Sequence, residues 1–413
     1  MTLRRTPEDF QVEELASADW LAALSPVPTD RAAYGVYRVT KKSLSTPEVC
    51  QRLAQALKVR PGLVASAGLK DKHAVTVQHV TVAPSDERDP EHAGSEGARP
   101  ERPERVEGPN WSAERLGFAE REARAELIEG NRFTITVRGL SRPEDRRMGE
   151  HAAALEVGAG ELLVTNYFGD QRFASARHGA GFAAERLVRG DFEGALKLLI
   201  GTPDRKDSGP RRELTRACAA HWGAWKHALR DIPKCAERAA VEALERGEGF
   251  KAAFQALPYF DQQMAVESFQ SHVWNGAVVR LIRALEAPTF DAPDDFGPLA
   301  FVPASAVPDD LRERAMPMPA AGLETSGRAG EFLRLELASR GLTMDELRIP
   351  GLRRPEFGAV DRPIFVRARN VEALDLAYDE FASPRSPKNL RRTLRFDLPR
   401  GAYATVLLRA LGQ

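Results

Sequence analysis

Cysteine is scarce in this chain: Cys50, Cys218 and Cys235 are the whole complement. They are odd in number and far apart, so they supply neither a disulfide framework nor a Cys-x-x-Cys metal site, which suits a reducing compartment. Long apolar runs are missing too. No stretch reaches the length of a membrane span, and Met1 to Asp9 lacks the apolar core of a secretory signal. There is no Walker-type loop and no GxGxxG, the glycine patterns that cradle nucleotide phosphates. His73 and His79 have no third ligand at suitable spacing, so no metal site is expected. Net charge is also absent, because 59 Lys and Arg balance 59 Asp and Glu. Phosphate binding rests on clustered cations, so overall balance counts against nucleic acid and leaves distribution to decide. The expectation is a cytoplasmic protein with no cofactor, no metal and no membrane segment.

The charge that is present lies unevenly. Arg385 to Arg395 contains no acid, Arg205-Lys206 and Arg211-Arg212 form a second basic stretch, and acids gather in 84–109. Each basic run is a solvated loop or a phosphate contact. At 413 residues, with 43% hydrophobic and 29% charged residues, the chain suits two globular domains. Tyr34 to Thr40 is β-branched and aromatic and reads as a strand. A helix follows, with Thr46 as N-cap, Pro47 at N1 and Val49, Leu53 and Leu57 on one face. Val75 to Val82 is a strand whose apolar parity switches near Gln78-His79, by a bulge or by burial on both faces. Residues 84–109, rich in Pro, Glu, Arg and Gly, are expected to form a disordered surface insertion between strands. Phe133, Ile135 and Val137 alternate with polar residues as a half-buried strand does, and a helix is expected at about 143–157. From about 175 to 355 the pattern is largely helical, near 181–200, 213–229, 235–248, 259–285 and 328–340. Val266, Phe269, Val273, Ala277 and Leu281 form an apolar stripe expected in the core. Strand-like sequence returns at Ile364 to Arg367 and Thr393 to Leu398. The expected architecture is α+β: one domain of 1–170 and 356–413, with a helix-rich domain of 171–355 inserted.

Residues 67–78, Ala-Gly-Leu-Lys-Asp-Lys-His-Ala-Val-Thr-Val-Gln, carry the chemistry. Asp71 stands between Lys70 and Lys72, after the turn-former Gly68 and before the strand from Val75. Two flanking ammonium groups favour the ionised carboxylate, and an ionised carboxylate on a loop feeding a rigid strand is what covalent catalysis by a carboxylate requires. Taken alone, Lys-Asp-Lys is also the pattern of a solvated turn.

The rest of the chain narrows this choice. Gly68 to Thr76 resembles the active-site motif of the TruD family of tRNA pseudouridine synthases. Further matches follow in the same order: Pro7-Glu8-Asp9-Phe10 with Val12-Glu13-Glu14; Gly130-Asn131-Arg132-Phe133-Thr134-Ile135; Asn166-Tyr167-Phe168-Gly169-Asp170-Gln171-Arg172-Phe173; and Leu398 to Thr405. Gln270-Ser271 with Trp274-Asn275 is similar to the family's long central helix. The resemblance implies a pseudouridine-synthase catalytic domain with a mixed, mainly antiparallel sheet, an inserted helix-rich α/β domain of TruD type, and tRNA as partner. It implies an isomerase that needs no cofactor and converts a uridine to pseudouridine, at uridine 13 of the D-arm in bacterial members.

On the same resemblance Asp71 is the nucleophile. Arg4 occupies a position where family members commonly have Lys, and its guanidinium is able to grip Asp71 through two bonds. Phe133 matches the aromatic beside a flipped base, against the bland reading of a core residue on an alternating strand. Asn131 is a candidate to bond the uracil or orient Asp71. Tyr167, Phe168 and Arg172 are similar to an elbow, with Arg172 as a ribose or phosphate contact, and Lys70 and Lys72 are expected to serve phosphates or the field around Asp71. A monomer is expected. Two other classes compete: a catalytically inactive RNA-binding or tRNA-folding module, which would lack Asp71 or Phe133, and a glycoside hydrolase, which would need a second carboxylate near Asp71.

Overall fold

The computed structural model describes residues 4–84, 102–173, 176, 180–204, 207, 209–324, 326–383 and 385–413. The chain divides into two compact units, one of residues 1–163, 367–404 and 411–413, the other of 164–366 and 405–410. The sequence pattern keeps 1–170 and 356–413 in the first, whereas 164–170, 356–366 and 405–410 cluster with the second. The difference at 405–410 has a packing reason: Arg409 bonds Asp170 at 2.9 Å and also pairs with Asp294, both in the second unit.

Strands run in chain order as β1 (Phe10–Ala16), β2 (Tyr34–Lys42), β3 (Val64–Ser66), β4 (Val75–Val82), β5 (Arg105–Gly108), β6 (Trp111–Ala119), β7 (Ile128–Leu140), β8 (Glu156–Gly158) and β9 (Glu161–Thr165). Two short pairs follow, β10 (Phe290–Ala292) with β11 (Leu299–Phe301) and β12 (Ala315–Pro317) with β13 (Asp361–Pro363), before β14 (Phe365–Tyr378) and β15 (Leu390–Pro399). The main sheet has the order β5-β6-β2-β4-β1-β7-β15-β14-β9-β8, with β3 on β4. β1 and β4 are parallel, whereas β1–β7, β7–β15, β14–β15, β2–β4 and β2–β6 are antiparallel. The sheet is therefore mixed and mainly antiparallel.

Local chemistry explains most element boundaries. The helix Thr46–Ala56 is capped by Ser45, not Thr46: the Ser45 hydroxyl accepts the Glu48 N–H while the Glu48 carboxylate takes the Ser45 N–H, a reciprocal capping box. Val49 and Leu53 of that helix are fully buried against Tyr37, Val39, Val80 and Val82. The parity switch in β4 is burial on both faces, since Gln78 to Val82 are all buried and the β2–β4 register runs unbroken. The helix Arg142–Leu155 starts with another capping box, Ser141 with Glu144. Of the acidic insertion, residues 85–101 lie outside the described residues, but its last part is ordered. Arg105–Gly108 pairs with Trp111–Ser112 and onward, closed by Asn110 at φ 65°. A hairpin edge strand needs only one paired flank, so its charged composition is no obstacle.

One buried ion cluster braces the N-terminal end of β1. Arg138 of β7, with its side chain 7% exposed, donates to Asp9 at 2.9 Å, to Asp379 at 2.9 Å and to Glu380 at 2.9 Å. Asp9 in turn accepts the backbone N–H groups of Arg5 and Thr6 at 3.0 and 2.9 Å. The segment just before β1 is thus tied to the sheet through a carboxylate.

The second unit is built on the helix Tyr259–Arg283, where Val266, Phe269, Val273 and Ala277 are fully buried and Leu281 nearly so. Expected helical runs resolve into Ala183–Leu187 with Phe192–Ile200, Gly209–Ala220 with Trp225–Asp231, then Arg238–Glu245 and Gly327–Ala338. Gly249–Ala256 is a helix that the periodicity did not reveal. Tyr167 is fully buried and donates to the Ala300 carbonyl at 2.7 Å, and Arg362 stacks 3.9 Å over the Phe168 ring. Among the described residues no helix is long and apolar enough to cross a membrane.

Removing the arginine of the β1 brace strands two buried carboxylates. Arg138→Leu is expected to destabilise the protein by about 3–5 kcal/mol, whereas exposed Arg142→Ala shifts it by less than about 0.5 kcal/mol. Urea unfolding of both variants measures the difference.

Candidate active site

The register of the sheet brings the candidate residues onto one face. Lys41 of β2 stands opposite Thr76 of β4, Thr76 opposite Val12 of β1, Val12 opposite Phe133 of β7, and Phe133 opposite Phe396 of β15. Directly opposed residues share a face, so this is one row across five strands. In the next row Glu14, Asn131 and Leu398 are opposed in the same way. Phe133, only 8% exposed, lies edge-on to Phe10 at 6.2 Å and stacks on Phe396 at 5.5 Å. Asn131 is half-buried, and its Oδ1 is a buried acceptor with no partner among the described residues.

Asp71 sits in the loop that enters β4 and is held at three atoms. Its Oδ1 accepts the His73 N–H at 2.9 Å, its Oδ2 pairs with Arg4 at 2.7 Å, and its carbonyl accepts from Lys41 Nζ at 2.9 Å. The side chain is 18% exposed, which leaves it shielded yet reachable. Arg4 is itself placed by the Phe10 ring, 4.3 Å below its guanidinium. Positive charge, aromatic face and carboxylate therefore follow one another from Asp71 to Arg4, Phe10 and Phe133. Such a site presents an anionic oxygen beside a largely buried aromatic cluster, and a carboxylate so held suits attack on a polarised carbon.

The flanking lysines point elsewhere than their sequence positions suggest. Lys70 turns inward to Glu14 at 2.5 Å, and Glu14 also accepts the His79 N–H at 2.7 Å. Burial opposes ionisation of Glu14, but hydrogen bonds from His79 and the Lys70 charge carry its carboxyl below the usual range. Lys72 is half-exposed and pairs with Glu48 at 3.2 Å. The Ser45 cap, joined by Lys72, holds the Glu48 carboxyl down at about 2. Arg172 belongs to the second unit, where it bonds Glu267 at 2.7 Å and Ser271 at 3.2 Å.

Two groups at the site escaped sequence reasoning. Glu14 lies in a motif but carries no mark of its burial. Lys41 does have a signal: it continues the alternation of Tyr37 and Val39, so a lysine stands at a core position. Among the described residues no group of three His, Cys, Asp or Glu side chains could hold a metal ion.

Comparison with known proteins gives the family. A family model described as tRNA pseudouridine synthase D (TruD) matches residues 1–295. The chain is 28% identical to "Probable tRNA pseudouridine synthase D 2" of Methanocaldococcus jannaschii, over 99% of this chain and 91% of that protein. It is also 28% identical to tRNA pseudouridine synthase D of Aquifex aeolicus, over 99% and 97% respectively. A crystal structure of a TruD protein from Methanosarcina mazei superposes with a TM-score of 0.68 at 22% identity, covering 99% of this chain and 92% of that one, which shows a common fold. The chain belongs to the tRNA pseudouridine synthase D family and is an isomerase of that class.

Proposed function

We propose that this isomerase acts on a uridine of tRNA, with Asp71 as the nucleophile and uridine 13 of the D-arm as the target. The observation that carries the reading is the restraint on Asp71, whose two carboxylate oxygens are occupied by Arg4 and the His73 N–H. A carboxylate held in this way is already aimed before substrate arrives, which is where the rate advantage of a preorganised nucleophile comes from.

The reaction breaks the bond from C1′ to N1, turns the uracil and joins C1′ to C5. The C5 proton is lost and N1 gains one, so atoms and electrons balance without an oxidant or a co-reactant. Asp71 enters by adding to the sugar or base, or by taking the 2′ proton in a glycal route. Arg4 acts as a clamp on the Asp71 carboxylate and not as a proton shuttle. The Asn131 Oδ1 is an acceptor for the uracil N3–H, and Phe133, backed by the buried Phe10 and Phe396, is the aromatic beside which a flipped base is held. Stacking of about 1–3 kcal/mol offsets part of what the base loses on leaving its helix.

Asp71→Asn is expected to fold and bind tRNA as the unaltered protein does, and to lower single-turnover pseudouridine formation by at least about a thousandfold. Modification retained by this variant excludes the nucleophile. Arg4→Lys preserves the charge and should stay within about tenfold of the normal rate, whereas Arg4→Met should lose about a hundredfold with little change in tRNA affinity. Chemical mapping of pseudouridine in tRNA from a deletion strain, with and without the gene restored, locates the target uridine. A restored signal at another position moves the target and keeps the chemistry.

A further inference from the structure

Lys41 has no exposed surface at all. A buried ammonium costs several kcal/mol unless each N–H is met by an acceptor. Its Nζ donates to three backbone carbonyls, those of Leu44 at 2.7 Å, Asp71 at 2.9 Å and Lys70 at 3.5 Å. Carbonyl dipoles, not a carboxylate, are its hydrogen-bond partners. Methionine at this position would fill a similar volume on a face otherwise lined by Tyr37 and Val39, with no charge to desolvate. The charge is therefore not explained by core packing.

What it does is visible in the partners. Two of the three carbonyls belong to consecutive residues, and one of those residues is Asp71. Pulling both carbonyls toward one point curls the backbone around the ammonium. The third bond, to Leu44, ties that point to the turn after β2, where Ser43 adopts φ 56°. A second tie acts on the same residue pair from the other side: the Lys70 N–H donates to Thr46 Oγ1 at 2.9 Å, and that hydroxyl donates to Gln78 Oε1 at 3.1 Å. Lys70 is thus fixed at its N–H and its C=O, and Asp71 at its C=O.

We propose that Lys41 is a positioning residue for the isomerisation, its buried ammonium setting the backbone of Lys70 and Asp71 and so the aim of the Asp71 carboxylate. The proposal rests on the reading of Asp71 as nucleophile. Burial pushes Lys41 down to about 8; the Asp71 charge opposes this, Lys70 adds to it, and Glu48 and Cys50 on the facing helix oppose it. Above that pH the neutral amine keeps only two N–H donors and turns a lone pair toward carbonyl oxygens. The backbone beneath Asp71 then loses a restraint, and the rate falls as pH rises.

The test uses the full chain and an unmodified tRNA transcript, with single-turnover rates at saturating enzyme measured separately from tRNA Kd between pH 6 and 9.5. For Lys41→Met the expected result is a rate about a hundredfold lower at pH 7, Kd within about threefold, and loss of the downward bend near pH 8 that the unaltered protein shows. A Lys41→Met rate within about threefold of normal, with the bend retained, overturns the proposal. Should that variant fail to fold, the unaltered protein and Lys41→Arg decide: a flat profile from pH 7 to 9 in the unaltered protein overturns the proposal, and a bend near pH 8 that disappears in Lys41→Arg, whose guanidinium stays charged throughout, supports it. Asp71→Asn run in parallel separates the two readings. Activity in that variant removes the nucleophile itself, whereas an inactive Asp71→Asn beside a fully active Lys41→Met removes only the role of Lys41.

Discussion

The ion pair between Arg4 and Asp71 joins the residues that precede β1 to the loop that precedes β4, and with the His73 N–H it holds the Asp71 carboxylate. Both partners depend on structure further back. Arg4 is positioned by the Phe10 ring and by a backbone whose next two N–H groups end on Asp9, which Arg138 holds in the sheet. Asp71 is positioned by Lys41 from beneath and by the His73 N–H in front. The parallel pairing of β1 with β4 is what brings these two supports together, since each strand delivers one of them.

Charge inside this protein is spent on placement. Glu14 with Lys70, Arg138 with Asp9 and Asp379, and Lys41 with its three carbonyls are largely removed from water, and hydrogen bonding offsets the desolvation cost of each. Opposite charges are paired at the surface too. Arg391 pairs with Glu380, Arg392 with Asp145 and Arg395 with Glu372, so a run of arginines that looks free in sequence is largely matched by acids. Arg211 and Arg212 are likewise engaged, with Glu237 and the Asp207 carbonyl.

Local readings succeeded where the deciding atoms are near in sequence. The alternation of Phe133, Ile135 and Val137 gave β7, and the apolar stripe from Val266 to Leu281 gave the buried face of a helix. They erred by one residue at the Ser45 cap, where Ser and Thr are adjacent and equally suited; Thr46 is held instead by Lys70 and Gln78, which are distant in the chain. Arg105–Gly108 escaped for a similar reason, because an edge strand borrows its stability from the partner beyond the turn. At the site, Lys70 and Lys72 look alike on either side of Asp71. Only burial separates them, one turned onto Glu14 and the other half in water.

Sequence alone determined the family, because the Gly68 to Thr76 motif and its companions along the chain carry the resemblance, and it offered Asp71 as the candidate carboxylate. Beyond the expected Arg4 pair, tertiary structure decided what holds that carboxylate. Arg4, Lys41, Glu14 and Phe133 come from three different strands or their approaches, and their distances follow from strand register, a property of pairing that no single segment contains. The buried charges belong to that second category as well, since the cost of removing an ion from water is set by everything packed around it.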